Sequence, residues 1–192
     1  LDPVLLDNFI DLDLSKVSMC GNYGDPIYHR NFKELIQVCK KHAKRITIVT
    51  NGGHRSKKWW KEIVELFGEN DEIVFSVDGT PENFTKYRIN GDWASTLIGI
   101  NECVNSKVKT MWKYIPFSFN ENNIEDARKL SIELGIDEFS VSLSDRWEKN
   151  DNLRPNNNIL LDQKSDFKEK YKDDRLPSNI ALDPDCKTNQ QH

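Results

Sequence analysis

Five short runs rich in β-branched and apolar residues, at positions 16–20, 45–50, 72–77, 107–115 and 138–141, alternate strictly with segments of helical period. Phe32, Leu35, Ile36, Cys39 and Ala43 share one helical face, as do Trp59, Trp60, Ile63, Val64 and Phe67. Trp93, Leu97, Ile100 and Val104 form a third stripe, and Ile124, Ala127, Leu130 and Leu134 a fourth that ends at Gly135. A strand reaches a parallel neighbour only through a long crossover, usually a helix, so this alternation predicts an α/β fold with a parallel sheet and right-handed crossovers. Leu5, Leu6, Phe9 and Ile10 read as the end of an earlier helix, which implies a further strand upstream. Six such repeats curve into a partial parallel (β/α)6 barrel lacking its first strand, whereas a full eight-repeat barrel needs about 250 residues. A flat doubly wound sheet has the same periodicity.

The pattern stops near Ser144. Of the 48 residues from 145 to 192 only 12 are hydrophobic, too few to offset the entropy of ordering. The expected organisation is therefore a core over residues 1–144 and a polar extension over 145–192, poorly ordered alone. The chain opens on Leu1 rather than Met, and it reads as a fragment of a longer protein. With 27 basic against 31 acidic residues, a net charge of -4 and no basic stripe, nucleic acid is not an expected partner. No apolar run reaches the roughly 20 residues that cross a bilayer and no signal peptide opens the chain, so a cytoplasmic protein is expected. Cysteines 20, 39, 103 and 186 lie 19, 64 and 83 residues apart, which excludes a short zinc knuckle and suits reduced thiols.

In parallel α/β folds the working face lies beyond the carboxyl ends of the strands. The first run is followed there by Gly21-Asn22-Tyr23-Gly24-Asp25-Pro26, the second by Thr50-Asn51-Gly52-Gly53, and the third ends in Ser76-Val77-Asp78-Gly79-Thr80. Asp25 and Asp78 can pair with an ammonium or accept from ribose hydroxyls, each such contact contributing roughly 1.5–3 kcal/mol. Each Gly-Asp, Asn-Gly or Asp-Gly pair taken singly also reads as a plain turn former. No P-loop, GxGxxG, GxSxG or HExxH motif is present. On the run at 107–115, Lys113 or Tyr114 can line a substrate cavity, and sequence does not choose between them.

Taken in order, these segments resemble the radical S-adenosylmethionine (radical SAM) superfamily. Gly24-Asp25-Pro26 is similar to the family's Gly-Gly-Glu-Pro motif, with Asp for Glu; Ile46 to Gly52 resembles its Thr-Asn-Gly strand; Phe75 to Gly79 resembles the Ser-x-Asp-Gly strand of members with a SPASM or twitch extension. The resemblance implies cofactor binding by Gly24, Asp25, Asn51, Ser76, Asp78 and Arg88, with Arg88 on the cofactor carboxylate through a bidentate fork. Asn120 is similar to a family helix start. The implied cofactors are S-adenosylmethionine and a [4Fe-4S] cluster. The family's Cys-x3-Cys-x2-Cys loop is absent, so it is expected upstream of Leu1; these residues alone hold no catalytic residue and are expected to be inactive. Asp183-Pro184-Asp185-Cys186 resembles the approach to an auxiliary [4Fe-4S] cluster, with Cys186 as its first ligand.

The resemblance further implies reductive cleavage of S-adenosylmethionine, hydrogen abstraction from substrate, a peptide or protein side chain as that substrate, and a flavodoxin or ferredoxin as electron donor. Two rivals stay open: a non-catalytic barrel or binding module without the cluster, and a hydrolase using Asp25 and Asp78 as paired carboxylates.

Overall fold

A computed structural model describes residues 13–21, 24–144 and 151–156. Five parallel strands, β1 (Val17–Met19), β2 (Ile46–Thr50), β3 (Glu72–Ser76), β4 (Lys109–Tyr114) and β5 (Glu138–Val141), lie side by side in chain order. Helices α1 (Phe32–His42), α2 (Lys57–Val64), α3 (Trp93–Val104) and α4 (Ile124–Glu133) connect them. That order separates the two architectures. A doubly wound sheet reverses its order at a switch point, so helices cover both faces. Here there is no reversal, and right-handed crossovers place every connecting helix on one face, leaving the other as the inner face of an open, barrel-like α/β sheet.

Local chemistry sets the helix ends. The Ser56 hydroxyl accepts from Trp59 N at 3.2 Å to start α2, and the Asp92 carboxylate accepts from Ala94 N and Ser95 N, both at 3.1 Å, to start α3. Lys40, Lys41 and His42 in the last turn of α1 oppose its carbonyl end. After α4 the backbone turns through Gly135 at φ 74°, and Ile136 N donates back to Ser131 O at 3.0 Å, as the expected C-terminal glycine requires.

The predicted stripes of α1 and α2 are buried at Phe32, Leu35, Ile36, Cys39, Trp60, Ile63 and Val64. On α3 the fully buried residues are Thr96, Gly99, Ile100 and Cys103; of the predicted stripe Ile100 is among them, and Trp93 and Val104 pack partly buried against the core. The fully buried Trp60 indole lies so close to Gly99 that a Cβ there would come within 2.7 Å of the ring. Trp93 turns aside to meet the rings of Phe84 at 5.7 Å and Trp112 at 6.0 Å.

The chain divides into two compact units, Leu1–Pro155 and Asn156–His192. All the elements above belong to the first. Beyond Ser144, Asn152 and Leu153 are fastened to it: Ser118 donates its hydroxyl to Asn152 O at 2.7 Å and its N–H to Leu153 O at 3.0 Å. The expected first helix near Leu5, the start of the polar extension at 145–150 and Cys186 lie outside the described residues. Among the described residues no helix is long and apolar enough to cross a membrane.

Candidate functional site

Strand alternation sorts the side chains into two sets. Ile46, Ile48 and Thr50 of β2, Ile73 and Phe75 of β3, and Thr110, Trp112 and Tyr114 of β4 are buried toward the helices. Their alternates line the inner face in three tiers. Thr47, Glu72 and Lys109 form the tier nearest the strand starts, and Val49, Val74 and Met111 an apolar middle tier. At the carboxyl end Ser76 is in register with Lys113, and Lys113 with Ser140; Asn51 follows the last β2–β3 pair, Thr50 and Phe75, and so stands beside Ser76. The register thus gathers Asn51, Ser76, Lys113 and Ser140 into one polar tier. It also resolves the choice on β4: the Tyr114 side chain is fully buried, donating its hydroxyl to Asn120 O at 2.8 Å, while Lys113 faces inward.

Asp25 is brought to this tier by a short 3-10 turn, Pro26–Tyr28. Its Oδ2 accepts from Asn51 N at 2.6 Å and from the Thr50 hydroxyl at 2.8 Å, and its Oδ1 from Ile27 N at 3.2 Å. Three neutral donors thus hold an anionic carboxylate, with no cationic partner among the described residues. Gly24 before it has φ 145°, a backbone that L side chains rarely adopt, and the space where its Cβ would lie is open. Gly52, at φ 74°, is required for a second reason: a Cβ there would lie 2.7 Å from the Phe75 ring.

A clamp that sequence reasoning missed ties the β1 and β2 loops together. Tyr28 donates its hydroxyl to Gly53 O at 2.8 Å. Arg55 donates Nε to Ile27 O at 3.0 Å, with a second guanidinium nitrogen on the same carbonyl, and lies between the rings of Tyr28 at 5.2 Å and Trp59 at 4.8 Å. The signal in the sequence was faint, one aromatic and one arginine in separate loops.

Arg88 and Asp78 occupy the β3 end. One Arg88 nitrogen donates to Ser76 O at 3.0 Å, to Ser76 Oγ at 3.3 Å and to Asp78 Oδ2 at 2.9 Å; Arg88 Nε is buried without a hydrogen-bond partner. Asp78 is fully enclosed and also accepts from Ile115 N at 3.2 Å. Burial raises its carboxyl pKa against the opposing pull of Arg88. Asn120 buttresses the same end: its amide donates to Asp78 O and Ile115 O, both at 3.1 Å, and its Oδ1 accepts from Phe117 N at 2.6 Å. Asp78 and Asp25 thus have separate in-chain commitments rather than facing each other across an open gap, which disfavours paired-carboxylate hydrolysis.

Beside the tier lies a cleft of about 400 Å³ whose walls include Asn51, Gly53, His54, Arg88, Asn90 and Thr96. His54 and Asn90, the non-glycine residues with left-handed backbones among those described (φ 57° and 65°), meet across it, with His54 Nε2 3.1 Å from Asn90 O. Among the described residues no group of three His, Cys, Asp or Glu side chains is arranged to hold a metal ion, and Cys39 and Cys103 are buried in the core.

The fold has solved counterparts. The crystal structure of Streptococcus suis SuiB aligns with a TM-score of 0.61 at 16% identity, over 82% of this chain and 37% of SuiB. Histidine-tagged anSMEcpe with bound AdoMet aligns with a TM-score of 0.63 at 13% identity, over 90% of this chain and 49% of that one. The chain therefore spans between a third and a half of the length of these structures. No curated protein matches it. The model of the Radical SAM superfamily matches residues 6–140, from the segment before β1 into β5, and on that match the chain belongs to the radical SAM superfamily.

Proposed function

We propose that the protein binds S-adenosylmethionine at the inner-face polar tier and, with a [4Fe-4S] cluster, works as a radical SAM enzyme that abstracts hydrogen from a peptide or protein side chain. The observation that carries this reading is the convergence of Asp25, Asn51 and Ser76 at one rim, through the 2.6 Å bond from Asn51 N to Asp25 and the register of β2 with β3. Support for the substrate class comes from relatives of the fold: SuiB has been solved bound to the precursor peptide SuiA, and anSMEcpe with AdoMet and the Kp18Cys peptide.

The residues present fit the cofactor. Asp25 keeps lone pairs beyond its three in-chain bonds for an ammonium, and Gly24 leaves room for close approach. Asn51 accepts from Gly53 N at 3.0 Å through Oδ1, which leaves its NH2 group to donate. The Ser76 hydroxyl borders the tier under Arg88, whose buried Nε still lacks an acceptor, and Asp78 fixes the guanidinium. When bound, S-adenosylmethionine supplies the hydrogen-abstracting chemistry, while the chain orients it and excludes water. For the cluster the described residues offer no ligand set. Three free thiols at Cys20, Cys39 and Cys103 accord with a reducing, cytoplasmic setting.

Anaerobic reconstitution of the full-length protein with iron and sulfide tests the proposal. Incubation with dithionite and S-adenosylmethionine should release 5'-deoxyadenosine and methionine, read by chromatography. A colourless protein that releases neither overturns it.

A further inference from the structure

We propose that Arg55 and Tyr28 are positioning residues that set the Asp25 carboxylate against the end of β2. Their effect on the cofactor rests on the S-adenosylmethionine-binding reading, whereas their hold on Asp25 is a property of the chain itself.

Local structure fixes Asp25 only weakly. Its loop follows a three-residue strand, and the short turn Pro26–Tyr28 supplies a single bond to its carboxylate, from Ile27 N to Oδ1 at 3.2 Å. The other two donors, the Thr50 hydroxyl and Asn51 N, belong to the end of β2 and its loop, 25 and 26 residues away in sequence. Where the carboxylate stands therefore depends on how the two loops are held together.

Two ties hold them. The first is a closed ring of hydrogen bonds: Asn51 N donates to Asp25 Oδ2 at 2.6 Å, Gly53 N to Asn51 Oδ1 at 3.0 Å, the Tyr28 hydroxyl to Gly53 O at 2.8 Å, and Tyr28 N to Asp25 O at 3.1 Å. This ring crosses between the loops twice, and the Tyr28 hydroxyl is the crossing that keeps the bond from Asn51 to Asp25 in place.

Arg55 is the second tie. The turn uses Asp25 O and Pro26 O for its own bonds, from Tyr28 N and His29 N, and Ile27 O accepts from Arg55 Nε and a second guanidinium nitrogen. The guanidinium is steadied by the Tyr28 and Trp59 rings, and Trp59 packs in turn on Phe32 of α1 at 5.7 Å and on Trp60 at 5.0 Å. Arg55 is thus anchored to the helical layer. Ile27 is itself buried, and its N–H is the one on Asp25 Oδ1, so the grip on its carbonyl reaches the carboxylate through a single residue. Two nitrogens on one carbonyl, with rings beside the guanidinium plane, is a geometry that depends on the arginine fork.

The test compares wild type, Arg55→Met and Tyr28→Phe in the full-length, reconstituted protein; Tyr28→Phe removes one hydroxyl and keeps the ring. Amide hydrogen exchange is read without S-adenosylmethionine, by mass spectrometry with residue-level fragmentation. Exchange at Asn51 should quicken about tenfold in Arg55→Met and about threefold in Tyr28→Phe, while Ile46, whose N–H is held by Asp71 at the other end of β2, keeps its wild-type rate. In equilibrium dialysis, S-adenosylmethionine affinity should fall by about the same factors, but not when Asp25→Asn is already present, because the clamp acts through that carboxylate. Unchanged exchange at Asn51 overturns the inference, and so does equal acceleration at Ile46, which marks a general loss of stability. Affinity losses that persist undiminished beside Asp25→Asn overturn the positioning role, since the clamp would then act on the cofactor directly. A wild-type protein that binds no S-adenosylmethionine refutes the cofactor reading, and exchange at Asn51 still decides whether the clamp holds Asp25.

Discussion

The two ends of the sheet use charge in opposite ways. At the strand starts, Glu72 pairs with Arg45 at 2.9 Å, and Lys109 bridges from Glu72 to Glu138. Asp71, fully buried, accepts from Ile46 N at 2.8 Å, from Gly68 N at 2.7 Å and from the Lys40 ammonium. At the strand ends, Asp25 is held by neutral donors only and Lys113 has no counter-ion among the described residues. The lower end is electrostatically closed and fastens successive repeats; the upper end pairs Arg88 with Asp78 at 2.9 Å but leaves Asp25 without a cation and Lys113 without a carboxylate among the described residues, as a polar ligand site needs. Proximity to the sheet is common to both, so the two ends differ in how many of their charges already have a partner.

The sharpest attempt to break this contrast is Asp71→Ala. It strands a buried N–H group, a partly buried one and a lysine, and should lower stability by about 3 kcal/mol in urea unfolding while leaving S-adenosylmethionine affinity of the folded fraction unchanged. Asp25→Asn inverts the outcome. Cofactor affinity should fall about tenfold, near 1.4 kcal/mol, by equilibrium dialysis, with cluster content unaltered. Unchanged affinity would mean that the loop before Pro26 does not contact the cofactor.

Asp78 gives a smaller effect with a defined sign. Its folded pKa is raised above the ordinary 3.8, so between that value and the raised one the folded chain binds more protons than the unfolded chain. Its own contribution to stability is therefore present in full below pH 3.8 and is lost as pH rises through the raised value. Urea unfolding across that window should show a less negative slope of stability against pH for Asp78→Asn than for wild type; equal slopes would refute the assigned direction. The smallest effect belongs to Lys109→Met. With side chains 41% and 43% exposed, the Lys109–Glu138 pair should contribute about 0.5 kcal/mol or less, and cofactor binding should not respond. A large binding change would show that the two ends are coupled.

Much of the fold was legible because burial imposes a period. All five strands fall inside the predicted runs, and β5 coincides with its run at both ends. The α3 face was legible only in part: Ile100, Trp93 and Val104 meet the core, while the full burial of Gly99 under Trp60 is a contact no helical period contains. At the site, Asp25, Asn51 and Ser76 could be singled out because each sits where a strand hands over to a loop rich in glycine. Tyr28 and Arg55 could not, since their roles arise only when two loops meet.

The sequence by itself determined the alternation of strand and helix, the parallel class and the loops that carry polar groups, because these follow from local periodicity and turn chemistry. Tertiary structure alone decided the unreversed strand order, the inward turn of Lys113 and the engagement of Arg88 by Asp78 and Ser76. Register and charge pairing are relations between distant segments, and their free energies exist only once the strands have come together.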